Sequence, residues 1–442
     1  VWATLWPPVS LTSTATLLER DGHILQVIDF PAIRETLDNL KKRIQSFQPD
    51  FAVWNTGTPT LAFDLQPAEI IKRLSPQTIT AVLGTHVSAQ PEETLNHSAA
   101  VDIVVRGEPE VTLQTLCRTT DRQWQSISGI SWRDPTNGRI HHNRKASFLP
   151  PEAIPRPAWH HLDLRPYRLP LKGRPFLIVA PVRGCPFACR FCTARLYYGR
   201  RLRKRPVIRV IDEIQDNIEK YHIRDFFIWA DTFTADKSYV RDFCREILQR
   251  KLKIAWTCNS RVDTIDPDML ALMQQAGLWM ISFGLESGSD TILKRSGKNI
   301  TVKQSITAVK AAHALGIKTA GHFMFGLPGE TRETMEATLR LALSLPLDIA
   351  QFYTATPFPG TELYEEARQA GWLAGHTACS QHNAGMSLPG LPAETVNAFR
   401  RKAYRRFYCR PGTLLGVASM LEPAGIRPVL LNFKRFFQWS NI

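Results

Sequence analysis

Short apolar runs alternate with amphipathic stretches along most of the 442-residue chain. Segments 23–29, 51–54, 80–84 and 101–105 are short and largely apolar, which predicts strands. Between the first two, Ile33, Leu37, Leu40, Ile44 and Phe47 follow helical spacing, and 67–74 is helical again. A small hairpin is predicted over 128–139, turning at Asp134 to Gly138, and a proline-rich linker over 149–175 that should be stiff and extended. A second series then begins. Strands are predicted at 176–181, 225–230, 254–258, 279–283, Lys318–Phe325 and Ile349–Thr354, with helices at 210–221, 239–250, 267–276, 302–315 and Arg332–Ser344.

Repeated β–α units predict parallel sheets with helices packed on them. The expected fold class is α/β: a doubly wound, Rossmann-like parallel sheet, a partial (β/α)6 TIM-like barrel, and a helical C-terminal segment. The corresponding divisions are 1–118, a hairpin and linker at 119–175, 176–366 and 367–442. In both sheet types ligands collect at the carboxyl ends of strands. In the first sheet those ends hold Thr56, Gly57 and Thr58, then Gly84, Thr85 and His86, then Arg106, Gly107 and Glu108.

Composition changes this picture little. No run of eighteen apolar residues appears, so no membrane-spanning helix is expected. No secretory signal is visible. The chain opens on Val-Trp-Ala rather than Met, and the first domain is expected to be truncated at its start. Charge is more informative. The formal net charge is +15, and from Arg400 onward nine Lys/Arg face one acid, Glu422. Mixed with aromatic residues, that segment suits an anionic membrane surface or nucleic acid, or it is simply the solvated face of a terminal helix. The basic run Gly199 to Arg205 reads as a solvated or cofactor-proximal loop rather than a nucleic-acid patch.

Eight cysteines occur, and three of them, Cys185, Cys189 and Cys192, form a C-x3-C-x2-C run just after the strand at 176–181. This is no disulfide framework, and a thiolate cluster needs reducing surroundings, which predicts a cytoplasmic protein. Three thiolates hold three irons of a [4Fe–4S] cluster and leave the fourth open, whereas purely electron-transferring clusters take four. Zinc would want a fourth ligand such as His, and none lies in the next twenty residues. Phe191 fits an aromatic shield beside such a cluster.

With these features, 176–365 resembles the radical S-adenosylmethionine (SAM) family. The resemblance assigns Cys185, Cys189 and Cys192 to the cluster and SAM to the open iron. One electron would cleave SAM to methionine and a 5′-deoxyadenosyl radical, which abstracts hydrogen from carbon. Further strand ends match in order. Asp231 stands where the family holds the SAM amino group, and Arg261 suits the SAM carboxylate. Glu286 and Ser287 stand near the ribose. Gly326 and Gly329 lie where the backbone approaches the adenine.

Residues 5–118 resemble the cobalamin-binding domain of one branch of that family, through Gly22, His23 and Asp29, through Gly84, Thr85 and His86 with Pro91, Glu92 and Glu93, and through Gly107 and Glu108. Leu83 stands where members usually carry another glycine, and the D-x-H-x-x-G signature that supplies a histidine to cobalt is absent. His86 is therefore expected near the nucleotide tail rather than on cobalt.

The resemblance implies a cobalamin-dependent radical SAM enzyme, a methyltransferase or oxidative cyclase, acting on an unactivated carbon of a small molecule. The branch it resembles includes tetrapyrrole cyclases and lipid-modifying enzymes, and the basic, aromatic C-terminus leans towards an apolar, lipid or tetrapyrrole substrate with peripheral contact at the inner membrane face. A flavodoxin or ferredoxin would supply electrons, and nucleic acid is not expected. The catalytic residues are not readable; Tyr353, Thr356 and Phe358 are candidates to face the substrate. One alternative is a tRNA methylthiotransferase, which needs three further N-terminal cysteines where only Cys117 occurs. Another is a non-catalytic basic RNA- or membrane-binding protein on the same fold.

Overall fold

The computed structural model describes residues 4–119, 122–373, 380–426 and 429–430. The first sheet has five strands in chain order: β1 Phe51–Asn55, β2 Ile79–Leu83, β3 Ile103–Val105, β4 Ile130–Arg133 and β5 Ile140–His142. The first three run parallel, and the last two add antiparallel, with Ile103 opposite Trp132. The hairpin expected between domains thus extends the first sheet. Period-two alternation sends Ala81, Leu83, Ile103 and Val105 to one apolar cluster and Val82 and Val104 to another, so both faces are covered.

One expected strand is missing. Residues 23–29 are extended but unpaired, and Ile24 is 86% exposed. Asp29 ends the segment by capping the turn Phe30–Ile33 and accepting the Tyr167 hydroxyl at 2.7 Å. The helix expected across 33–47 accordingly starts late, at Leu37 behind a Thr36 capping box. The linker is not an extended spacer either, because Trp159 and Tyr167 are fully buried in barrel clusters.

The second sheet holds six parallel strands: β6 Phe176–Val179, then, past a small antiparallel pair β7 Val182–Arg183 and β8 Arg203–Lys204, β9 Asp225–Ile228, β10 Ala255–Ser260, β11 Leu278–Glu286, β12 Lys318–Phe325 and β13 Ile349–Thr354. Neighbours follow chain order, as an open (β/α) barrel requires. Their outer face, with Leu177, Trp256, Phe283 and Phe323, packs on the helices that join them.

The two edges of this half-barrel are closed differently. On the β6 side the inner residues Phe176 and Phe227 meet Trp6 edge-on, at ring distances of 5.6 and 4.9 Å. On the β13 side the helix Ala393–Tyr408 supplies side chains to the open strand edge. Tyr404 Oη accepts from the Phe352 N–H at 3.0 Å, Tyr408 Oη donates to the Ala350 carbonyl at 2.9 Å, and Arg400 Nε donates to the Phe352 carbonyl at 2.9 Å. These groups serve an edge that would otherwise be free to pair with another chain. Part of the basic C-terminal segment is therefore structural. Arg400 is buried, Lys402 pairs with Glu336, and Arg427, Lys434 and Arg435 lie outside the described residues. Among the described residues no helix is long and apolar enough to cross a membrane.

Candidate active site

The three thiols sit on the loop between β7 and the short helix Ala194–Tyr198, at the carboxyl end of the first barrel strand. Gly184 starts the loop at φ +89°, where an added Cβ would lie 2.2 Å from the Arg201 carbonyl. Two strand ends then meet the thiols. Cys185 Sγ lies 3.6 Å from Thr232 Oγ1, and Cys189 Sγ lies 3.7 Å from Arg261 Nη1. Burial pushes the Cys192 thiol up to about 12, with Cys189 and Asp231 adding to the rise, and burial also raises Cys189. Such thiols bind metal only by giving up protons. Phe191 is half-buried against the barrel core.

Opposite charges flank this loop. On one side Asp231 Oδ2 accepts the Gly184 N–H at 3.2 Å, and burial lifts the carboxyl to about 6 against the pull of that N–H and of Arg203 and Arg183. On the other side stand Arg261 and Lys298, 4% and 7% exposed. Arg261 is held by both oxygens of Asp263, at 2.9 and 2.8 Å, and by the Lys298 carbonyl at 2.7 Å. Lys298 Nζ donates to Glu286 Oε1 at 2.9 Å. Glu286 itself sits at φ +60°, a left-handed conformation that is costly for a residue with a side chain. It ends β11 at a register shift against β12.

Two expected contacts do not form as expected. Ser287 is fully buried and turns to the helix Arg332–Ser344, its Oγ 3.3 Å from Thr338 Oγ1, so it braces a strand–helix contact. Glu108 is also committed: Arg203 engages both its oxygens, Nη1 at 2.9 Å, and the Leu149 N–H adds a third bond. The basic run splits likewise. Arg203 and Arg205 are buried against Glu108 and Glu213, Lys204 pairs with Asp236, and Arg200 and Arg201 are exposed. Alternation along β8 produces this, not a uniform loop.

Gly326 and Gly329 form the turn after β12 at φ +84° and +83°. Glu330 holds it: Oε2 accepts the Gly326 and Leu327 N–H groups at 2.5 and 3.1 Å, while Oε1 is buried without a partner. Burial lifts Glu330 from its ordinary 4.5 to about 8, against those two bonds. Between those values the unfolded chain ionises while the folded chain stays protonated. Stability should therefore fall as pH rises from about 4.5 to 8, at up to about 1.4 kcal/mol per unit. Glu330→Gln should flatten that slope in urea titrations across this range. Parallel slopes for the two proteins would refute the assignment.

The strand ends of the first sheet form a second site. Gly84 sits at φ +136°, and a Cβ there would lie 2.1 Å from the Thr56 carbonyl, which admits only glycine. Thr56 Oγ1 bonds Asp64 Oδ2 at 2.9 Å, and Gly57 precedes the short turn Thr58–Thr60. Thr85 opens the helix Thr85–Ala89. Thr58 Oγ1 meets His86 Nδ1 at 3.1 Å, while His86 Nε2 is buried and unpartnered. Gly107 N–H donates to Ser88 Oγ at 2.9 Å, tying the second and third strand ends together. This surface meets the cysteine loop's own helix: a Cβ on Gly107 would lie 3.9 Å from the Tyr197 carbonyl, and one on Gly360 would touch both Ala89 and Leu196.

A buried ion quartet joins the two sites, and sequence reasoning missed it along with Lys298. Arg183, two residues before Cys185, donates to Glu110 at 2.5 Å and lies 3.4 Å from Glu108, which also holds Arg203. A lone Arg inside the apolar run 176–182 and its continuation was the available signal. Lys298 had none, since it lies in an ordinary Ser–Gly turn.

Fold and site thus define a two-domain α/β protein with a three-thiol loop at a barrel mouth, facing the ligand edge of a Rossmann-like sheet. Residues 179–342 match the radical SAM superfamily and residues 2–117 the B12-binding domain. A methyltransferase of Pyrococcus horikoshii, described as uncharacterized, is 35% identical over 421 residues, covering 94% of this chain and 90% of that one. The anaerobic magnesium-protoporphyrin IX monomethyl ester cyclase of Rubrivivax gelatinosus is 29% identical over 82% of this chain and 66% of its own length. In fold, the radical SAM methyltransferase TsrM from Kitasatospora setae, solved with cobalamin and a [4Fe–4S] cluster, matches with a TM-score of 0.71 at 17% identity, covering 96% of this chain and 89% of that one. The chain belongs to the radical SAM superfamily, in the branch that carries an N-terminal B12-binding domain.

Proposed function

We propose that this chain is a cobalamin-dependent radical SAM methyltransferase in which Cys185, Cys189 and Cys192 hold a [4Fe–4S] cluster. The observation that carries the SAM part is the pair of opposite charges beside the thiols. A zwitterionic amino-acid end presents an ammonium to Asp231 and a carboxylate to Lys298 and Arg261. Glu286, at the end of β11, is placed for ribose hydroxyls, and the turn of Gly326 and Gly329, whose Cβ directions are filled by Val396 and Arg295, would offer a base its backbone. On the first sheet, Gly84 and the unpartnered His86 Nε2 suit a bulky ligand rich in amide groups, which fits cobalamin. When bound, the cluster with SAM supplies a carbon-centred radical and cobalamin a transferable methyl group.

The chain's own part is to align and shield. The cobalamin edge and the thiol loop meet through the helix Ala194–Tyr198, which would hold methyl donor and radical source side by side. Methyl transfer is favoured over cyclisation by the Pyrococcus relative. The inner wall carries His322, whose Nδ1 lies 3.3 Å from Tyr353 Oη, with Gln351 bonded to the same hydroxyl. These groups favour a small-molecule substrate with hydrogen-bonding functions over a hydrocarbon lipid. A methylthiotransferase reading finds only Cys117 in the first domain, half-buried with its thiol pushed up to about 11. We place the protein in the cytoplasm, served by a flavodoxin or ferredoxin. Peripheral membrane contact would fall to exposed residues such as Arg405 and Arg406, and binding to anionic vesicles tests it.

Anaerobic reconstitution with iron and sulfide tests the whole reading. The expected result is about four irons per chain, a bound-cobalamin spectrum, and SAM consumption under a low-potential reductant. Protein that takes up no iron, or that takes it up and leaves SAM intact, would overturn it.

A further inference from the structure

Cys189 differs from the other two thiols in its surroundings. Arg261 points Nη1 at its sulfur, 3.7 Å away, while the rest of that guanidinium is fixed by Asp263, by the Lys298 carbonyl and by the Phe187 ring, 3.8 Å below it. Lys298 is locked behind it by Glu286. Gly284 makes the space: a Cβ there would lie 2.6 Å from Lys298 Nζ and 2.7 Å from Glu286 Oε1. The strand thus gives up a side chain at Gly284 and accepts a left-handed Glu286 to seat one buried cation. Neither cation contacts bulk water to any extent, so neither is screened. Asp231, by contrast, holds the Gly184 N–H at the start of the loop.

We propose that Lys298 and Arg261 are potential-setting residues: by placing two buried cations on the Cys189 side, they raise the reduction potential of the cluster and make it reducible by a physiological donor. This rests on the reading that the three cysteines hold that cluster. The step is one-electron reduction of [4Fe–4S]2+ to [4Fe–4S]+, with the electron supplied by a ferredoxin- or flavodoxin-class donor. An added negative charge is stabilised by fixed positive charge and by hydrogen bonds to the thiolates. The role is separate from holding a SAM carboxylate, because it acts before SAM arrives. In this role both cations act through the cluster field, apart from any contact with the SAM carboxylate.

The test is a redox titration of reconstituted full-length protein without SAM, using dithionite and mediators and reading the reduced cluster by electron paramagnetic resonance. Lys298→Gln should lower the reduced-to-oxidised ratio at the wild-type midpoint about ten-fold, equivalent to about 59 mV for one electron. Lys298→Arg, which keeps the charge, should stay near wild type. Arg261→Gln against Arg261→Lys repeats the comparison at the second cation, so loss of assembly in one variant does not end the test. Iron-loaded Gln variants with wild-type midpoints, or Gln and charge-keeping variants shifted alike, would overturn the proposal. Wild-type protein without iron would instead overturn the cluster reading beneath it.

Discussion

Replacing Cys185, Cys189 or Cys192 with alanine is expected to abolish SAM cleavage, by more than about a hundred-fold, the upper range found when only an outer partner of a metal ligand is removed. Iron content should fall well below that of the wild type. The cause is stoichiometric: with two thiolates the cluster loses a protein ligand at one iron, and that corner opens to solvent and exchange. The same replacement at Cys244 or Cys258 is the control. Both are fully buried in the core between the barrel strands and their helices, and burial raises both thiols. Their loss should cost stability and leave iron loading intact. Equal iron in the loop variants and the wild type, by colorimetric iron assay, would sink the assignment. Assembly should also improve with rising pH, because Cys189 and Cys192 must shed protons that burial holds on them.

How much of this was legible in the sequence depends on the range of the interaction. The thiol run is local, and its position after β6 follows from the strand pattern alone. The six barrel strands are equally visible, because burial on one face and helices on the other impose apolar runs of predictable length. What period cannot show is pairing. Residues 23–29 have a strand's composition, yet among the described residues no strand pairs with them, and Asp29 turns to Tyr167 instead. The hairpin β4–β5 looked like a spacer because nothing local says that Trp132 will lie opposite Ile103. Charged residues mislead most. The C-terminal basic count suggested a surface, but Arg400 is consumed by the Phe352 carbonyl at the barrel edge. In the run 199–205 two of the arginines are internal ion-pair partners. Ser287 followed a motif whose chemistry here is packing against Thr338.

The second large effect is expected far from the thiols in sequence but next to them in space. Glu110 is fully buried at the start of the helix Pro109–Arg118, and its partner Arg183 is 2% exposed. Glu110→Ala leaves a guanidinium in a site with little water, with Glu108 3.4 Å away and shared with Arg203. Breaking such a pair from one side typically costs about 3–5 kcal/mol. The pair is not fully satisfied even in the native chain, since Glu110 Oε2 and Arg183 Nε have no hydrogen-bond partner. Its desolvation is therefore incompletely offset, and Glu110→Leu combined with Arg183→Met should recover most of the stability that Glu110→Ala loses. Urea unfolding of the three proteins measures this; a double variant as unstable as the single one would show that the charges, not the packing, hold the joint. Function should separate from stability in that double variant. Arg183 leads through Gly184 to Cys185, and Gly184 N–H is the donor to Asp231. Once the Arg183–Glu110 link is gone, the thiol loop keeps only the Arg203–Glu108 pair to the helix that follows Gly107, so the double variant should fold and load iron yet transfer methyl groups less well. That outcome would mark the Arg183–Glu110 pair as a device that keeps the two cofactor edges in register.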